Sequence, residues 1–282
     1  MTSVWATALA TALILFNATN AWANEITISQ IGDDLRLDVI QDGENNQVKP
    51  ITSGSDNVQG DNNLVINHQW GNNHLTEQSV DGDSNMVVNV QGGGGNNGFI
   101  RSSTTGSYNY VGTFQGFHYD GFGFYYDNDE TGGHEAYVSV DGDFNTYMST
   151  QTDTNRGGGG GSPHHLSNVI EGDFNNVEHI QMGKAGHDGF IEIQGDDNTV
   201  DLLQRGNGGQ KWADIVLTGD DHTVDVDQRG SNSASAAIDL TNSGGAYNFT
   251  LTQNVTTSAD SFSITGSCAT AGGCSVTVNR NN

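Results

Sequence analysis

Basic residues, proline, cysteine and long apolar runs are all scarce in this sequence, and each scarcity narrows the field. Nine Lys plus Arg stand against 34 Asp plus Glu in 282 residues, for a formal charge of −25. Phosphate binding needs clustered Lys and Arg, so nucleic acid is disfavoured as a partner, as is an anionic membrane surface. Charged residues are only 15% of the chain, too few for a charged-repeat or coiled-coil protein. Cys268 and Cys274 are the sole cysteines, too few for a zinc site. In an oxidising compartment they would close a short disulfide loop; two free thiols are the alternative.

The strongly apolar run at the N-terminus, Ala6 to Phe16, is too short for a stable bilayer span. Ala21-Trp22-Ala23 follows as an A-x-A cleavage pattern, although the segment before the run holds no Lys or Arg. Residues 1–23 are therefore expected to be a secretory signal, with a mature chain from Asn24, exported and not inserted in a membrane.

What is abundant is Gly, with 39 residues, and Asn, with 31, beside only two Pro. That mixture suits a chain that turns often and pairs strands between the turns. With 34% hydrophobic residues the core should be thin and extended rather than large and compact. Simple disorder would also fit the composition, but the periodicity argues against it.

A Gly followed nine residues later by Gln recurs along the chain: Gly32/Gln41, Gly60/Gln69, Gly82/Gln91, Gly106/Gln115, Gly142/Gln151, Gly172/Gln181, Gly195/Gln204, Gly219/Gln228 and Gly244/Gln253. Seven of these Gly residues precede Asp, and six copies carry Asn three positions on: Asn63, Asn85, Asn109, Asn145, Asn175 and Asn198. Two positions beyond the Asn every copy is apolar, as in Val65, Val87, Val111, Tyr147 and Val177, and apolar residues return two before the Gly. A period of two means strands with alternate side chains on one face.

Each unit thus reads strand, Gly-Asp-x-Asn turn, strand. Repeat starts lie 28, 22, 24, 36, 30, 23, 24 and 25 residues apart, which fits one coil of a β-solenoid. The expected fold is all-β, about nine coils stacked roughly 4.8 Å apart into a rod of roughly 43 Å. The six Asn residues and Gln69, Gln91, Gln115, Gln151, Gln181, Gln204, Gln228 and Gln253 should form interior ladders, each amide bonded to the amides above and below.

These repeats resemble the curlin family, whose subunits build curli amyloid fibres and whose unit reads approximately Ser-x5-Gln-x-Gly-x2-Asn-x-Ala-x3-Gln. Gln30, Gly32 and Gln41 match it, with Leu35 in place of the Asn; so do Gly60, Asn63 and Gln69, Gly82, Asn85 and Gln91, and Gly195, Asn198 and Gln204. The Gln before the Gly is mostly Val, Ile or Leu here. The resemblance implies a secreted extracellular protein, a fibre subunit or fibre-associated adhesin in cell adhesion and biofilm matrix. It also implies self-assembly or pairing with other curlin-type subunits, and export through a dedicated outer-membrane channel.

By this reading curlin-like repeats fill residues 24–115 and 136–255, with an aromatic and acidic insert at 116–135, a Gly-rich insert at 156–163 and a tail at 256–282. Loops projecting from a solenoid are common binding places, so Tyr119, Phe122, Phe124, Tyr125 and Tyr126 are candidate contacts to a sugar, a surface or another subunit. A monomeric solenoid that binds a ligand through this loop is the alternative to a fibre protein. His164 and His165 follow the Gly-rich insert without the spacing of a metal site.

Turn carboxylates such as Asp61, Asp83, Asp143 and Asp173 should stack along one edge. There they either stay solvated or hold calcium, and they brake polymerisation at neutral pH. No nucleophile elbow, phosphate loop or zinc motif occurs, so no cofactor is expected. Polysaccharide-cleaving β-helices are the enzyme class that remains, and their site residues would lie outside the repeat.

Overall fold

Residues 13–16, 24–51, 57–92, 97–119, 124–126, 133–152, 164–182, 187–195, 198–204, 211–219, 222–230, 234–241, 247–252, 262–266 and 274–279 are described by a computed structural model. They form a β-solenoid of two parallel sheets. The strand that follows each Gly turn joins the sheet carrying the Gln residues, here the glutamine sheet. Its strands are Arg36–Asp42, Leu64–Trp70, Met86–Gln91, Tyr110–Gln115, Thr146–Thr152, Asn176–Met182, Thr199–Gln204, His222–Asp225, Tyr247–Thr252 and Cys274–Asn279.

The strands that precede the turns form the facing sheet. They are Glu25–Ile26 with Gln30–Ile31, Gln47–Pro50 with Val58–Gln59, Leu75–Asp81, Phe99–Thr105, Glu135–Asp141, His165–Glu171, Asp188–Gln194, Lys211–Thr218, Ala234–Thr241 and Phe262–Gly266. One strand from each sheet makes a coil, the facing side being split into two short strands in the first two, giving ten coils among the described residues, numbered here from the N-terminus. Leu13–Phe16, inside the apolar run, adds parallel to the edge of Arg36–Asp42. The A-x-A pattern at 21–23 lies outside the described residues.

Register explains the sequence period. Val65, Val87, Val111, Tyr147, Val177, Val200 and Val224 are paired residue on residue up the stack and are all buried. Opposite them run Val80, Thr104, Val140, Ile170 and Ile193, also paired in sequence order. The main core is a narrow apolar seam between the two sheets, with smaller clusters at Ile100, Ala136 and Leu166 and at Val88, Val90 and Phe114, which is why modest hydrophobicity suffices. The turns need Gly at their first position, as at Gly82 with φ 125°, and a left-handed residue two later, as at Ser84 with φ 59°.

The inserts do not divide the stack. Phe99–Thr105 pairs directly with Glu135–Asp141, and Tyr110–Gln115 with Thr146–Gln151, across the segment 116–135. The stack also continues beyond residue 255. Phe262–Gly266 pairs with Ala236–Leu240 and Cys274–Asn279 with Tyr247–Thr252, so the expected tail supplies a tenth coil. Among the described residues no helix is long and apolar enough to cross a membrane.

Candidate functional site

Interior Gln residues are joined amide to amide from coil to coil. Nε2 of Gln41 donates to Oε1 of Gln69 at 2.8 Å, and the series continues through Gln91, Gln115, Gln151 and Gln181 at 2.9 to 3.2 Å. Gln228 donates back to Gln204 at 2.9 Å. Nε2 of these Gln residues has a second acceptor that the sequence did not announce, a carbonyl at the start of the facing strand. Gln91 reaches Leu75, Gln115 reaches Phe99 and Gln151 reaches Glu135, each 16 residues back, whereas Gln69 reaches Gln47, 22 back. The ladder therefore ties the two sheets together as well as coil to coil. Gln115→Leu should cost about 3 kcal/mol, because it strips bonds from Gln91, Gln151 and the Phe99 carbonyl at once. Thermal unfolding followed by circular dichroism measures it. Gln253 lies outside the described residues.

The Asn column differs from the expected amide-to-amide ladder. Oδ1 of Asn63, Asn85, Asn109 and Asn145 accepts the backbone N–H of the next Asn at 2.8 to 3.0 Å. Nδ2 of the same four donates to the turn-Gly carbonyl of the next coil at 2.7 to 2.8 Å. In these four coils both amide atoms are taken by backbone groups of the next coil, so the column fastens turn to turn. Amide-to-amide contacts enter only at Asn175 and Asn198, at 3.0 and 3.1 Å.

The turn carboxylates do stack, and each has a structural bond. Asp61 Oδ1 accepts Asp33 N–H and Asp83 Oδ1 accepts Asp61 N–H, both at 2.7 Å. Asp173 does the same for Asp143 at 2.6 Å. These charge-assisted bonds offset part of the mutual repulsion. Among the described residues no group of three or more His, Cys, Asp or Glu is arranged to hold a metal ion.

At the opposite corner stands a second column that the Gly/Gln repeat does not reveal. Asn24, Asn46, His74, Gly98, His134, His164 and His187 each precede a facing strand. Asn24 Oδ1 accepts Asn46 N–H and Asn46 Oδ1 accepts His74 N–H, both at 3.0 Å. His74 Nδ1 then accepts Gly98 N–H at 3.2 Å, His134 Nδ1 accepts His164 N–H and His164 Nδ1 accepts His187 N–H, each at 3.1 Å. Histidine Nδ1 thus replaces asparagine Oδ1, which requires the neutral ring with its proton on Nε2. His74 and His187 donate that proton to the carbonyls of Trp70 and Met182, at 3.0 and 2.7 Å. The rings of His134, His164 and His187 stack 4.8 Å apart.

Burial is the main reason the His74 imidazole titrates low, at about 4; the Trp70 bond opposes the shift and nearby His134 adds to it. His179, inside the glutamine sheet, is lowered to about 3 by burial and then by His187 and His164. Neither of its ring nitrogens has a hydrogen-bond partner. Its ring fills the space beside Gly189, where an added Cβ would lie 2.4 Å from Cε1.

Residues expected to act outside the ladders fall in different places. His164 is buried in the column, whereas His165 points outward and its Nδ1 lies 3.2 Å from Glu135 Oε2, so the two are not a pair. Phe117–Tyr119 and Phe124–Tyr126 form an antiparallel hairpin whose first strand lies against Thr146–Thr152. Tyr119, Phe124, Tyr125 and Tyr126 are therefore on a hairpin whose first strand touches one strand of the glutamine sheet. Val88, Val90 and Phe114 are buried on that sheet's outer face, with Ile66, Trp70, Met86 and Met148 packed against them. Phe122 and Cys268 lie outside the described residues, and Cys274 opens the last strand.

The outer face changes character further along. Glu178, Asp201 and Asp225 stack in register there. Partial burial first, then the neighbouring carboxylates, raises all three carboxyls above their usual range.

A parallel two-sheet solenoid bound by interior Gln and Asn ladders is an amyloid-like stack closed within one chain. Residues 195–230, which hold the turns of coils 7 and 8, match the family described as curlin associated repeat. The match is confined to those residues, and strands on either side of them continue the same parallel register. Neither a curated protein nor a solved structure matches the chain.

Proposed function

We propose that the chain is a secreted structural protein that self-assembles end to end into a curli-like extracellular fibre, as subunit or fibre-associated adhesin. The observation that carries this is the pair of strands that ends the two sheets among the described residues. Cys274–Asn279 closes the order of one sheet and Phe262–Gly266 that of the other, each paired on one side among the described residues. Unpaired strand edges in parallel register template a further copy. At the other end Leu13–Phe16 occupies the edge, and removal of residues 1–23 on export would free it. An outer-membrane channel of the curli type is the matching export route. The repeated side chains hold the stack together, which supports a structural role.

Purified chain lacking residues 1–23 should bind thioflavin T after a lag that its own fragments abolish. The product should give a reflection at about 4.7 Å along the fibre. Persistent soluble monomer under all conditions would overturn the reading.

A further inference from the structure

We propose that the turn edge carrying Tyr108, Phe144 and Phe174 docks a cationic, arginine-rich chain. In three successive coils the left-handed turn position holds an aromatic residue, with φ 60°, 58° and 61°. Coils 2 and 3 place Asn62 and Ser84 there. A bulky side chain is a poor occupant of this backbone region, and strain kept at a surface points to use. The three side chains are 59%, 49% and 58% exposed, so they contribute little to the core. Their rings lie parallel, Tyr108 on Phe144 at 5.0 Å and 3°, Phe144 on Phe174 at 5.2 Å and 2°.

The charges around this strip have one sign. Asp81, Asp83, Asp141, Asp143, Glu171 and Asp173 lie in or beside the turns of coils 3, 5 and 6, and the turn segments 81–85, 105–109, 141–145 and 171–175 hold no Lys or Arg. One face of the Tyr108 ring covers Phe144. The other looks along the axis toward coil 3, where the equivalent residue is the small Ser84, beside Asp83. A ring face bordered by carboxylates fits a guanidinium, which is planar, stacks on aromatic faces and forks onto carboxylate oxygens. Lysine has the charge without the plane. The −25 net charge of the chain supplies long-range attraction for the same partner.

The test compares labelled hexa-arginine with hexa-lysine by fluorescence anisotropy at near-physiological salt. The wild-type chain should prefer the arginine peptide by about five-fold or more. The triple change Tyr108→Asn, Phe144→Asn, Phe174→Asn keeps a residue suited to the turn, as Asn62 shows, and should reduce that preference to about one. Asp143→Asn with Asp173→Asn should weaken both peptides, and its Oδ1 can retain the backbone bond, as Asn72 Oδ1 does for Glu44 N–H at 2.8 Å. Equal affinities for the two peptides in wild type would mean attraction by net charge only and overturn the proposal. Unchanged arginine binding in the triple variant would do the same. Self-association lost in that variant, without an arginine preference, would assign the strip to a second copy of the chain instead.

Discussion

Acidification from pH 7 to pH 4 is expected to loosen the stack by several kcal/mol, with buried histidines as the cause. An unfolded imidazole titrates near 6.5, and the folded values are about 4 for His74 and about 3 for His179. Because the folded pKa is depressed, the unfolded chain binds more protons between those limits. The contribution is therefore fully present above pH 6.5, falls as the pH drops toward 4, and for His179 continues to fall toward 3. His74 alone accounts for roughly 3 kcal/mol.

Protonation would also turn Nδ1 of His74 from an acceptor into a donor facing Gly98 N–H, now 3.2 Å away. The outer-face carboxyls Glu178, Asp201 and Asp225 act in the opposite sense. Their pKa values are raised in the folded state, so they favour folding as the pH falls through those values. Replacing the histidines should expose that opposing trend. His74→Asn restores the acceptor that Asn46 provides one coil earlier, and His179→Leu copies Leu202, its register partner in the next coil. The melting temperature of the double variant should be nearly flat or should rise between pH 7 and 4, while that of the wild-type chain falls. Parallel declines in the two proteins would refute the assignment. Acid thus weakens the individual stack while relieving the carboxylate repulsion that slows assembly, so fold stability and polymerisation rate should move in opposite directions.

Most of the fold was legible because a solenoid copies one set of contacts many times. A side chain that must stack on its equivalent leaves a period, and Gly/Gln at nine residues was that period. The tenth coil escaped because it keeps only the alternation of Val276 and Val278, which continue the Phe249 and Leu251 columns, without the Gly and Gln markers. The histidine column escaped because inserts of varied length fall inside the repeat and scatter it when it is counted from the preceding Gly. Counted back from its own Gln it is regular: Gln91/His74, Gln151/His134, Gln181/His164 and Gln204/His187 are all 17 apart. The chemistry behind that offset is the Gln bond to the adjacent residue of the facing strand, and no strand pattern encodes it. The placement of the aromatic hairpin was illegible for a different reason. Its packing against Thr146–Thr152 is made once and repeats nowhere.

Gly106→Ala should be a severely damaging single methyl group for the stack, as at the other turn glycines. Gly106 has φ 104°, a conformation that an L side chain adopts only under strain. Its added Cβ would lie 2.1 Å from the Gly142 carbonyl oxygen, which accepts Asn109 Nδ2 at 2.7 Å. The obstruction is backbone, not a side chain that can swing aside, so relief requires coils 4 and 5 to separate at this corner. Separation would break the Asn109 bond and strain the Gln115–Gln151 bond of 2.9 Å at the far end of the same strands.

Turn strain and the broken contacts together predict a loss of about 4 kcal/mol or more. Since each coil contacts only its neighbours, the damage should appear as a split stack rather than uniform softening. Hydrogen exchange should show protection falling first in Phe99–Gln115 and Glu135–Thr152. Ser107→Ala is the control: it removes one 3.3 Å bond from Asp83 N–H and should cost about 1 kcal/mol or less. Equal effects of the two changes would mean that the glycine corner does not govern coil stacking.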